Sequence, residues 1–155
     1  MSEDSSSDSN EAVSAWMRTR LDAAVEEIMR LGAIDDELVE ARAVWTLPYK
    51  VMIGQVREAN EQTTFRWLIC GDLPTDHISS AAASTPREAL KYFSLKWQMD
   101  AARYADPATR KSHELDESHD WNQLSDKLVA KAEELHAMAE DESLWRESDP
   151  IKKGR

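Results

Sequence analysis

Between residues 11 and 31 the apolar positions recur at steps of three and four. Val13, Trp16, Met17, Leu21, Ala24, Ile28 and Leu31 fall on one face, which predicts an amphipathic helix from about Glu11 to Leu31. Gly32 is placed to end it, because glycine takes up the left-handed closing conformation without a Cβ clash. Beyond residue 40 the pattern becomes extended. Arg42–Leu47, Tyr49–Arg57 and Thr63–Cys70 are rich in β-branched and aromatic residues, separated by Pro48 and by the polar stretch 58–62. In the third run Phe65, Trp67 and Ile69 alternate with Arg66, Leu68 and Cys70, so the two sets point to opposite faces. Connections this short require antiparallel neighbours. The expectation is a three-stranded meander, with room for a short fourth strand near His77–Ser80.

Thr85-Pro86-Arg87-Glu88 is a helix-start signal: a capping hydroxyl, a proline suited to the first position, and a glutamate able to reach back. The helix it opens should run to about Ala105, stopped by Asp106-Pro107, with Leu90, Phe93, Trp97, Ala101 and Tyr104 on one stripe. A last helix from about Trp121 to Asp141 follows, capped by Asp120, with Leu124, Leu128, Leu135 and Met138 as its apolar positions. The two helices are suited to antiparallel pairing. The predicted fold class is therefore α+β: an N-terminal helix, the meander, then two C-terminal helices, with helices packed on one face of the sheet. The expected organisation is a disordered acidic, Ser-rich tail over 1–10 and a core domain over 11–105. An acidic loop over 106–120, a C-terminal helix over 121–145 and a flexible tail over 146–155 complete it.

Charge changes this picture. The net charge is −11, but it is unevenly placed. Residues 11–111 are near balance at −2, whereas residues 112–149 hold 12 acids against 3 bases. Such a field opposes binding to nucleic-acid backbones and to anionic membrane surfaces, both of which rest on cation contacts. A cationic protein partner fits it, and so does a solvated acidic face. No run of about 18 apolar residues suggests a membrane span, and the N-terminus lacks the basic start and apolar middle of a secretion signal. With one cysteine, Cys70, the chain cannot form an internal disulfide. A cytoplasmic protein is expected.

Candidate chemistry is sparse. Asp72, Asp76 and His77 lie in Gly71-Asp-Leu-Pro-Thr-Asp-His77, at the end of an inner strand where loops are held by a rigid scaffold. They could form an acid–base site or supply oxygen and nitrogen ligands to a divalent metal. Turn chemistry accounts for all of them except His77 without any site. His113 and His119 stand among carboxylates and form a second possible metal set, although no His pair lies at helical i, i+4 spacing. Cys70 reads as a packing residue, with His77 the only nearby base for a thiolate. Of the six tryptophans, Trp16, Trp45, Trp67 and Trp97 fall on inward faces. Trp121 and Trp145 lie in the acidic third and are candidates for anchoring a partner, Trp145 as an exposed residue. Four glycines cannot build a phosphate-cradling loop, and no cofactor is implied.

The segment Gly71–Ile78, with the helix Arg87–Gln98 and its Phe93-Ser-Leu-Lys-Trp-Gln98 core, resembles a small family of uncharacterised, mainly proteobacterial proteins known only as a domain of unknown function. The resemblance covers roughly residues 11–105, the C-terminal third being less typical. It implies a bacterial α+β protein and carries no activity.

The expected function is that of a non-enzymatic accessory or protein-interaction protein. The alternatives are a small metal-dependent or acid–base enzyme using the Asp72–His77 loop, and a small-ligand sensor with a pocket between the sheet and the Phe93–Trp97 helix. A homodimer is expected to be open to the chain, since a three-stranded sheet leaves unpaired edges.

Overall fold

The computed structural model describes residues 2–30, 39–58, 65–108 and 120–146. The chain divides into two compact units, Met1–Pro86 and Arg87–Arg155.

In the first unit, helix α1 spans Ser2–Arg30. It begins well ahead of Glu11, so the segment expected as a disordered tail is helical from Ser2. No proline or glycine occurs over 2–30 to interrupt it. The sheet follows as β1 (Val39–Leu47), β2 (Val51–Glu58), β3 (Arg66–Gly71) and β4 (Asp76–Ser79). Spatial order equals chain order, and every pair is antiparallel. The meander therefore has four strands rather than three. The fourth is only four residues long, too short to show a hydrophobic period, and Asp76 and His77 at its start read as loop residues. Gly32, the expected helix stop, lies outside the described residues.

One seam organises this unit. Ala24 and Ile28 of α1 are buried against Met52 and Val56 of β2 and Leu68 and Cys70 of β3, with Trp16, Met17, Leu21 and Val25 packed around them. On α1 these are, apart from Val25, residues the three-and-four spacing picks out, and burial of each large aliphatic side chain contributes about 1.5–3 kcal/mol. Residues 67–71 are all buried, so β3 has both faces covered and reads as a continuous apolar run.

Two places show why local sequence matters. Lys50 N–H donates to Leu47 O at 3.0 Å, closing a turn with Pro48 second and Tyr49 third, where φ is +65°. A positive φ at that position is what this turn requires, and glycine or asparagine usually supplies it. Tyr49 instead sets its ring 5.5 Å from that of Trp16. Beside the same turn, at the end of β3, Gly71 has φ +127°, and a Cβ there would stand 2.7 Å from Lys50 O. Only glycine fits.

In the second unit, α2 (Pro86–Ala105) and α3 (Trp121–Glu140) are followed by a 3-10 turn, Glu142–Leu144. α2 starts at the expected proline and ends before Asp106-Pro107. Asp120 caps α3 by accepting from Gln123 N–H at 3.1 Å. The helices are antiparallel, and three side-chain-to-carbonyl hydrogen bonds fix their register. Arg87 Nε donates to Ala139 O at 2.7 Å, Ser94 Oγ to Ala132 O at 2.8 Å, and Ser125 Oγ to Ala101 O at 2.8 Å. Successive rungs advance seven residues up α2 and seven down α3. Seven residues are close to two turns of helix, so all rungs fall on one line.

This ladder overturns part of the expected α3 stripe. The buried positions are Ser125, Ala132, Leu135 and Ala139, while Leu124 is 38% exposed. The helices meet through small residues and a close backbone approach, which a search for large apolar residues passes over. Ser94→Ala should lower unfolding stability by about 1 kcal/mol through loss of a buried hydrogen bond. Ser94→Leu should cost roughly 2–4 kcal/mol, because added bulk must force the helices apart. Denaturant unfolding checks both, and equal costs would count against a close-packed ladder.

Candidate functional site

The Gly71–His77 segment is built by backbone constraints. Asp72 N–H donates to Lys50 O at 2.9 Å, holding the exit of β3 against the β1–β2 turn. Its side chain is exposed. Asp76 Oδ1 accepts the His77 N–H at 2.8 Å, a local turn bond at the start of β4. Asp76 lies opposite Ile69 and His77 opposite Leu68. Neighbours in a strand point to opposite faces, so the pleat separates the Asp76 carboxylate from the His77 imidazole.

His77 is engaged elsewhere. Arg66 Nε donates to its Nδ1 at 2.8 Å, in a half-buried position at the sheet. A guanidinium has no acceptor, so Nδ1 is the acceptor and a neutral ring carries its proton on Nε2. The ring then offers an N–H at Nε2, which suits donation better than metal ligation. Among the described residues no group of three His, Cys, Asp or Glu side chains is placed to hold a metal ion. His113 and His119 lie outside the described residues, and His136 is exposed on α3.

Cys70 is buried, in the seam between α1 and the sheet. Burial pushes its thiol up to about 11, against a smaller opposing pull from Arg20. His77 stands opposite Leu68, two residues along, and its Nδ1 is taken by Arg66. The sulfur is therefore a protonated packing group at neutral pH.

The tryptophans divide differently from their expected roles. Trp67 and Trp97 are buried, Trp16 and Trp45 are half-buried, and Trp67 Nε1 donates to Ala83 O at 3.0 Å. Trp121 is half-buried, its ring 5.3 Å from that of Tyr104. Trp145, expected to be exposed, is only 3% exposed. Its Nε1 donates to Met138 O at 2.9 Å, and the Arg87 guanidinium lies over its ring, 6.0 Å from the centroid. Arg87 also bonds Ala139 O and pairs with Glu142 at 2.8 Å. Met138 and Ala139 belong to the last turn of α3, whose carbonyls lack partners within the helix. Trp145 and Arg87 supply donors there, and a cation suits the negative end of the helix dipole. Trp145 closes a helix in this structure. The sequence hint was its place five residues past the helix end, within reach of the last carbonyls.

The surface feature missed by the sequence reading is on α2. Leu95 and Met99 are 57% and 62% exposed, and Tyr92 is 43% exposed. With Lys96, Asp100 and Arg103 they line, among the described residues, a hollow of about 320 Å³. Lys96 and Arg103 both pair with Asp100. The stripe was legible as residues at i, i+3 and i+7, but it is masked by the stronger Leu90–Phe93–Trp97 stripe on the opposite side.

These features define an α+β protein: a four-stranded antiparallel meander under one helix, with a register-locked helix pair beside it in sequence. The chain belongs to the family described as Domain of unknown function (DUF4826), which matches residues 10–145. The match takes in the C-terminal helix and Trp145, so the less typical third is part of the family pattern. No curated protein and no solved structure matches the chain. Among the described residues no helix is long and apolar enough to cross a membrane.

Two outcomes test these assignments. Trp145→Ala should lower unfolding stability by about 3–5 kcal/mol, the cost of emptying a large buried site. An unchanged melting temperature would count against the capping role. For Cys70, the folded thiol titrates near 11 against an ordinary value of 9.0, so the unfolded chain releases its proton first. The stability this gives is whole below pH 9 and is lost as pH rises towards 11, amounting to about 2–3 kcal/mol. The stability difference between wild type and Cys70→Ala should shrink by that order across the window. A difference that stays flat from neutral pH to pH 11 would reject the buried-thiol account.

Proposed function

We propose that this protein acts by binding another polypeptide, and that the outer face of α2 is the surface it uses. One observation carries the reading: Tyr92, Leu95 and Met99 form an exposed apolar stripe at helical spacing, over a hollow, on a helix whose opposite side is locked in place. Single exposed apolar residues are common on protein surfaces, but a contiguous stripe with a charged rim is the form that helix-mediated recognition takes. Methionine and tyrosine suit it, one for its adaptable shape and the other for its large contact area.

Chemistry elsewhere supports the same direction. The Asp76 and His77 side chains lie on opposite faces, and Cys70 is protonated and buried. Trp121 and Trp145, the residues first singled out as anchors, are engaged with Tyr104 and with the end of α3. The docking role therefore moves to α2.

Methionine oxidation provides the test. Purified protein is exposed to a mild oxidant when dilute, when concentrated to about 1 mM, and in extract of its own host, and modification at Met99 is quantified against buried Met52 as internal standard. Met99 should be protected by about fivefold or more in extract or in the concentrated sample, and Leu95→Asp should abolish that protection with an unchanged melting temperature. Equal oxidation of Met99 in all three settings would sink the proposal.

A further inference from the structure

Resting on that reading of α2, we infer that the stripe's partner is a second copy of this chain, docked through α2 in antiparallel fashion. Glu88, Tyr92, Leu95, Met99 and Arg103 succeed one another at steps of four, three, four and four, so they form one line along the helix. The apolar residues are central, with an acid at the N-terminal end and a base at the C-terminal end. That line is about 22 Å long at 1.5 Å per residue.

Such a line is self-complementary. A two-fold axis near Leu95 brings Tyr92 of one copy beside Met99 of the other. It also sets Glu88 towards Arg103 at both ends of the contact, as an isologous interface requires. A parallel arrangement would instead set like charges together at each end. Antiparallel packing also opposes the two helix dipoles favourably.

The wider charge distribution supports the same occupant. A chain of net charge −11 repels its own copies, and residues 112–149 hold most of that charge. Around the α2 stripe the bases instead slightly outnumber the acids: Lys91, Lys96 and Arg103 against Glu88 and Asp100. The outer face of α2 thus combines exposed apolar area with freedom from the chain's acidity, where two acidic copies can meet without facing acid with acid. An unlike cationic partner would be expected at the acidic segments, not here.

The experiment is sedimentation of the purified full chain from about 1 μM to 1 mM, the range over which a modest interface assembles. Wild type should pass from monomer to dimer, and Leu95→Glu should weaken the dimer by about tenfold or more without lowering the melting temperature. Glu88→Arg alone and Arg103→Glu alone should each weaken it by about fivefold, and the two together should restore it to within about threefold of wild type. A monomer at every concentration, or a dimer indifferent to Leu95→Glu, overturns the inference. If the isolated protein stays monomeric while Met99 is protected only in host extract, the second copy is rejected and the docking reading stands. Met99 protected in the isolated monomer would give the stripe to the chain's own residues and reject both.

Discussion

The close approach of α2 and α3 is the constraint on which the second unit depends. Because Arg87, Ser94 and Ser125 each donate to a carbonyl of the facing helix, neither helix can rotate or slide without breaking several bonds at once. A buried hydroxyl that loses its acceptor costs more than the bond itself contributes, so the register is defended against slippage. The ladder decides which side of α2 is inside. Tyr92, Leu95 and Met99 are outside because Ser94 and Ala101 must face α3. The exposed stripe is thus a consequence of helix pairing, and it is held rigidly enough to present a fixed surface.

The first unit shows how a recognisable segment can be written by backbone geometry. Gly71 is required by a positive φ and by the carbonyl of Lys50. Asp72 supplies an amide to that same carbonyl, and Asp76 accepts the amide that follows it. His77 accepts from Arg66 across the strand pair. Each residue has a local structural partner, and together they connect β3 to β4 through a short, determined turn. Read from the sequence, the same string of acids and an imidazole resembles a catalytic loop, since turn chemistry and acid–base chemistry draw on the same residue types.

Most of the architecture was legible, and the failures have physical causes. The α1 stripe from Trp16 to Ile28 and the alternation of β3 report burial directly, so periodicity locates both. The Pro86 start and the Asp120 cap are local interactions that a few residues specify. β4 was open near His77–Ser80 without being assigned, because four residues cannot display a period. The inner face of α3 escaped because Ser125, Ala132 and Ala139 are small, and their contribution comes from proximity and hydrogen bonding that hydrophobicity does not measure. Trp145 misled because a tryptophan near a chain's end reads as exposed unless its indole N–H is followed to an acceptor. The α2 stripe was passed over since a helix with two apolar stripes gives the larger one precedence.

Temperature acts on both units. The seam under α1 is made of Ile28, Met52, Val56 and Leu68, and its strength comes from keeping hydrocarbon away from water. That driving force fades on cooling and carries a large heat capacity. The α2–α3 unit buries hydrocarbon as well, in Leu90, Phe93, Trp97 and Leu135, but adds three rungs that join hydroxyl and guanidinium groups to carbonyls. Cold therefore weakens the apolar contacts of both units, while the rungs go on holding the register of α2 and α3.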